Sequence, residues 1–133
     1  MADLIHRQLS YKLNGIFYNI QNSLGKELKE KQYADALELS FKKDKIKYLR
    51  EIEVPIDFAG GKITGNRIDF IVENKLTIDV KSKKYITKED FRQMKRYLKV
   101  TNLKLGIIVN FRGDSVKIKR VINSEGKQKI DSH

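Results

Sequence analysis

The sequence has no cysteine and no tryptophan, a single proline, and only two histidines, His6 and His133. Without cysteine there are no disulfides and no thiolate metal sites. Two histidines near opposite ends of the chain argue against a multi-histidine zinc centre. Any metal would be a hard cation held by oxygens. No run approaches the ~18 to 20 apolar residues that a membrane-spanning helix needs. The first residues are interrupted by Asp3, His6, Arg7 and Lys12, so they do not read as a signal peptide, and a cytoplasmic protein is expected. Acidic residues are also scarce, with 17 Asp and Glu against 28 Lys and Arg, a net charge of +11. That excess favours a polyanionic partner, nucleic acid first and anionic membrane second. A peripheral membrane protein needs a basic amphipathic helix with an exposed apolar face, whereas the apolar stripes here read as core-facing, so no membrane partner is expected.

What is present suffices for one domain. The chain has 133 residues, 40% of them hydrophobic. The expected domain covers 1–122, followed by a polar tail at 123–133. Leu9, Leu13, Ile16, Ile20 and Leu24 recur at helical spacing before Gly25, predicting a first helix over 3–24. Tyr33, Ala34, Leu37 and Phe41 predict a second over 27–43. Residues 46–58 alternate and read as a strand, with Pro55 marking an edge or a break. Two strands at 67–72 and 76–82 follow the turn signals Ala59-Gly60-Gly61 and Gly65-Asn66. Thr87 and Asp90 form a variant capping box before a third helix. The stretch 104–111, KLGIIVNF, predicts a strand buried on both faces, and 115–121 a last strand. The order α-α-β-β-β-α-β-β predicts an α/β domain with a mixed central sheet flanked by helices.

The segment RIDFIVENKLTIDVKSK, residues 67–83, carries the chemistry. A two-residue loop would set Phe70 against Asp79. A three-residue loop at 73–75 instead pairs Val72 with Leu76, Phe70 with Ile78 and Ile68 with Val80, giving one apolar face. In that register Asp69 lies across from Asp79, and Lys81 shares their face one pleat along. Opposed like charges destabilise a sheet, so a divalent cation, Mg²⁺ or Mn²⁺, is expected between them. Such a cation beside an ammonium suits phosphodiester hydrolysis. A solvated hairpin face with mixed charges is the alternative.

The pattern Asp69…Asp79-Val80-Lys81 resembles the signature of the PD-(D/E)XK nuclease superfamily. Gln93 and Tyr97 repeat the Q-x-x-x-Y spacing of its helicase-associated members. Across nearly the whole chain the sequence resembles the family named for its GxxExxY motif. LSYKLNGIFYNIQNSLG looks like that family's first helix, KEKQYADAL its E-x-x-Y segment with Glu30 and Tyr33, and GIIVNF its late buried strand. Glu27 stands where the motif has glycine, Ala34 where an acid is frequent, and Ile68 where a proline precedes the first acid. A shorter resemblance, Asp79 to Ser82, is to archaeal-type Holliday junction resolvases. The resemblance implies a restriction-endonuclease-like core and a Mg²⁺-dependent nuclease acting on DNA. It implies metal ligation by Asp69, Asp79 and the Val80 carbonyl, with Glu30, Glu38 or Glu51 completing the shell. Lys81 would act on water and phosphate, and Gln93 and Tyr97 would orient the site. The alternative is a non-catalytic nucleic-acid-binding or partner-binding module on the same fold. A homodimer is left open.

A basic stripe of Lys88, Arg92, Lys95, Arg96 and Lys99 on the third helix, extended by Lys83 and Lys84, is expected to track a phosphate backbone.

Overall fold

The computed structural model describes residues 5–125. The expected tail, 123–133, therefore falls mostly outside the described residues. Helices α1 (Arg7–Leu24) and α2 (Glu30–Lys43) come first. Then come strands β1 (Tyr48–Glu53), β2 (Ile56–Phe58), β3 (Gly61–Ile63), β4 (Arg67–Val72) and β5 (Leu76–Lys81). Helix α3 (Lys88–Thr101) and strands β6 (Leu105–Asn110) and β7 (Lys117–Ile122) complete the order. Five strands form one sheet, β1-β4-β5-β6-β7. Only β5 and β6 run parallel, joined by α3 as the crossover that such a pair requires.

The expected α/β architecture is present, with two additions. The strand expected over 46–58 is broken. It leaves the main sheet at Val54-Pro55, where proline has no N–H to give a ladder. The chain then makes a separate β2–β3 hairpin, turning at Ala59 (φ 51°) and Gly60 (φ 79°). Both lie in the left-handed region that a two-residue primed turn requires.

Helices α1 and α2 cover one face of the sheet and α3 the other. Leu13, Phe17, Tyr33, Leu37 and Phe41 pack with Phe70, Val72, Ile78, Val80, Ile107 and Val109. On the opposite face Met94 and Leu98 of α3 pack with Ile108 and Val121. Every residue of β6 is buried, as its continuous apolar run requires of a strand covered on both sides. Each large aliphatic side chain buried there contributes roughly 1.5 to 3 kcal/mol. The capping box forms as expected: Asp90 N–H donates to Thr87 Oγ1 at 3.3 Å and Thr87 N–H to Asp90 Oδ2 at 2.7 Å.

The β4–β5 register follows the three-residue loop, with Val72 opposite Leu76 and Phe70 opposite Ile78. The expected third pair, Ile68 with Val80, is not part of the ladder, which ends at Phe70–Ile78. Beyond it the Val80 N–H donates to a side chain, Asp69 Oδ2, at 2.7 Å. A backbone donor that finds a carboxylate no longer needs the neighbouring strand, so pairing stops where the acidic residues begin.

Candidate active site

The site lies at the carboxyl end of β5. Strand alternation puts Asp79 and Lys81 on the face covered by α3, and their parallel partners there are Ile108 and Asn110 of β6. Asp69 comes from the neighbouring strand β4. Asp79 is only 5% exposed, and its Oδ2 accepts no hydrogen bond from the described residues. Lys81 Nζ stands 3.2 Å from that oxygen, an ionic contact without hydrogen-bond alignment. Burial, together with hydrogen bonding to Asp79 and its charge, pushes the Asp69 carboxyl up to about 7. Near neutrality Asp69 therefore holds a proton part of the time, as expected when two carboxylates meet in a partly dry site.

Burial pulls the Lys81 ammonium down, but Asp79, Asp90 and Glu30 outweigh it and hold its pKa above the ordinary lysine value. Lys81 is thus a cation here. Asp90, which the sequence marked only as a helix cap, joins the cluster. It lies 3.8 Å from Lys81 Nζ and 2.5 Å from Lys83 Nζ. Burial raises its carboxyl, yet Lys83, Thr87 and Lys81 hold it below the usual carboxylate range. Tyr97 is buried, and its hydroxyl is pushed up first by burial and then by the charges of Asp79 and Asp69. Gln93, one turn earlier, is half-buried on the same flank of α3.

The three candidates for a further ligand separate clearly. Glu30 is exposed at the first turn of α2, close enough for its charge to act on Lys81. Tyr33 of the same segment is structural. Its hydroxyl donates to Gly25 O at 2.5 Å and accepts from Leu28 N–H at 3.2 Å, and its ring stacks on Phe111 at 4.4 Å. Ala34 is part of the core. Glu38 is occupied away from the carboxylate pair, accepting from Tyr48 Oη at 2.6 Å and Arg50 at 2.8 Å. Glu51 falls across from Asp69 in the β1–β4 register, between the pairs Arg50–Phe70 and Ile52–Ile68, and its φ is 55°. A left-handed glutamate inside a strand is a strained conformation. Among the described residues no group of three His, Cys, Asp or Glu converges in a metal-holding arrangement.

Asn110 was also missed as a site residue, although a polar residue ending an apolar strand was a visible signal. It is 1% exposed and clasps the backbone of Lys83, accepting from its N–H at 3.1 Å and donating to its C=O at 2.7 Å. Lys81 is fixed from the same side, where Phe111 N–H donates to its carbonyl at 3.0 Å.

The basic stripe of α3 is exposed but turned aside. At ~100° per residue, Lys88, Arg92, Lys95, Arg96 and Lys99 centre about 150° around the helix from Asp90, Gln93 and Tyr97. Arg92 and Arg96 are engaged by Glu89, at 3.3 and 3.6 Å. Lys83 is tied to Asp90, and Lys84 is exposed over the ring of Tyr85.

No curated protein matches the sequence. Among solved structures, the crystal structure of SSO0001 superposes with a TM-score of 0.56 at 23% identity, over 70% of this chain and 49% of that one. This is a likeness of fold, and the chain spans about half the length of that protein. A family model of the PD-(D/E)XK nuclease superfamily matches residues 7–121, a span that includes α1 to β7 and the cluster around Asp79. With its mixed sheet and the acid pair and lysine at the end of β5, the chain belongs to the PD-(D/E)XK nuclease superfamily.

Proposed function

We propose that the protein is a divalent-metal-dependent nuclease of the GxxExxY type that hydrolyses phosphodiester bonds in DNA. The observation that carries this reading is the placement of Asp69, Asp79 and Lys81 together at one strand end. The residues suit a hard cation. Asp79 presents a buried oxygen without a hydrogen bond, and the burial and the Asp79 charge that raise the Asp69 carboxyl would be offset by a cation between them. Asp69 and Asp79 would hold Mg²⁺ or Mn²⁺, with the Val80 carbonyl and Glu30 as further oxygens. When bound, the cation supplies Lewis-acid neutralisation of the phosphate.

The chain's own groups do the rest. Lys81, kept cationic by Asp79, Asp90 and Glu30, faces the charge that develops on the phosphate and is a stabiliser of that charge rather than a base. Asp90 and Asn110 position it, one through charge and the other through the backbone of Lys83. Tyr97 borders the carboxylates on the α3 side, with Gln93 one turn earlier on the same flank of the helix.

A second reading, a non-catalytic binding module on the same fold, is favoured by one observation: no group of three His, Cys, Asp or Glu among the described residues is arranged to hold a metal. Calorimetric titration of Mn²⁺ into wild type and Asp79→Ala decides between them. Cleavage of plasmid, single-stranded and four-way-junction DNA is measured on the same samples. The nuclease reading expects binding and cleavage that both vanish in the variant. Wild type that binds DNA, takes up no metal and cuts nothing establishes the binding module instead.

A further inference from the structure

A cleft of about 1010 Å³ opens beside the site, on the flank opposite the α3 stripe. Three segments line it: 26–31, the α1–α2 loop and the first residues of α2; Ser82 and Lys84 after β5; and Arg112 and Gly113 after β6. Its inner end adjoins the site, because Ser82 follows Lys81 in the chain and Glu30 acts on the Lys81 charge. We propose that this cleft holds the phosphate backbone of the strand being cut, and that it, rather than the α3 stripe, is the principal nucleic-acid contact. The identity of the occupant rests on the nuclease reading.

Charge is the first support. Lys26, Lys29, Lys31, Lys84 and Arg112 line the cleft against only Glu27 and Glu30. Lys26 is paired with Asp114 at 2.7 Å and Lys31 with Asp35 at 3.0 Å. Lys29, Lys84 and Arg112 have no carboxylate partner among the described residues. Cations of one sign left unneutralised in a concave surface attract a polyanion and release its counterions.

Rigidity is the second. Ser82 Oγ donates to Leu28 O at 2.6 Å and joins the first segment to the second. Gln21 Nε2 donates to Phe111 O at 2.7 Å and Gly113 O at 3.1 Å and anchors the third to α1. Tyr33 clips Gly25 to Leu28. The cations therefore stand on a frame already built before any ligand arrives, which lowers the ordering cost of binding.

The α3 stripe has no part in this cleft. Lys95 and Lys99 line a separate hollow with Ile122 and Asn123, at the sheet end where β6 begins and remote from the Asp79 end of β5.

The test is fluorescence anisotropy with a labelled single-stranded oligonucleotide and its duplex, in EDTA, over a series of salt concentrations. Wild type is compared with Lys29→Ala/Lys84→Ala/Arg112→Ala and with Lys88→Ala/Lys95→Ala/Lys99→Ala. All six positions are exposed, and circular dichroism melts check the fold. The cleft variant is expected to lose affinity and to show a log K against log salt slope shallower by about 2 to 3, from three lost phosphate contacts. The α3 variant is expected to keep the wild-type slope. The converse pattern, or unchanged slopes in both, overturns the proposal. Cleavage in Mn²⁺ is read separately. A wild type that binds through the cleft but does not cut leaves the cleft standing and removes the nuclease reading. A cleft variant that binds and cuts like wild type removes the cleft alone.

Discussion

Replacing Asp69 by asparagine isolates the electrostatic tension of the acid pair. The Asp69 carboxyl sits at about 7 in the fold against 3.8 when free, because burial and Asp79 both disfavour its charge. A folded value above the unfolded one means that the group stabilises the fold most below about pH 4. That contribution is then lost as pH rises towards 7. The gap between the two values corresponds to about 4 kcal/mol in total, of which about 2 to 3 kcal/mol falls between pH 5 and pH 8. This is a ceiling, since Lys81 can swing further towards the pair and relieve part of it. Asparagine keeps an oxygen for the Val80 N–H and a donor for Asp79, but it does not titrate. In EDTA the wild-type melting temperature should therefore fall relative to Asp69→Asn between pH 5 and pH 8, by roughly 10 °C for a domain of this size. Carboxylates with lowered values, such as Asp90, lose their contribution only on acidification and are common to both proteins. Adding Mn²⁺ at pH 8 should raise the wild-type melting temperature and leave the variant unmoved. Melting curves whose pH dependences run parallel in the two proteins would refute the close acid pair on which the site is built.

Two other perturbations probe the frame. At Gly106 an added Cβ would lie 2.3 Å from Met94 Sδ and 3.0 Å from Thr77 Oγ1. Gly106→Ala is thus expected to destabilise by about 1 to 3 kcal/mol in urea denaturation, with partial recovery in Gly106→Ala/Met94→Val; an unchanged midpoint contradicts the close α3–β6 packing. Tyr33→Phe keeps the stack on Phe111 but orphans Gly25 O and Leu28 N–H. A loss of about 1 to 3 kcal/mol and faster amide exchange at Leu28 are expected, and protection equal to wild type contradicts the clip.

The hairpin was legible because strand periodicity is local. A three-residue loop leaves one face apolar, and the pairs Phe70–Ile78 and Val72–Leu76 follow. Pro55 was read as an edge or a break, and it is a break, but nothing local announced that the chain would fold 56–63 into its own hairpin. Ala59 and Glu73 both occupy left-handed backbone without being glycine. At Glu73 the cost is offset by backbone and side-chain bonds to Lys47, at 2.9 and 2.8 Å, which no sequence window contains.

The sequence by itself determined which side chains share a face. Alternation within β5 puts Asp79 beside Lys81, helical spacing puts Gln93 and Tyr97 on one flank of α3, and the capping pair Thr87–Asp90 starts that helix. These follow from 2.0- and 3.6-residue periods that a single element carries alone. Tertiary structure decided where each face points. The rotation of α3 on the sheet turned Asp90 and Tyr97 towards the acids and the lysine stripe away from them. The packing of α1 and α2 brought residues 26–31, Ser82, Lys84 and Arg112 to one cleft. Both depend on contacts between residues far apart in the chain, and such contacts are set by how complete faces pack against one another.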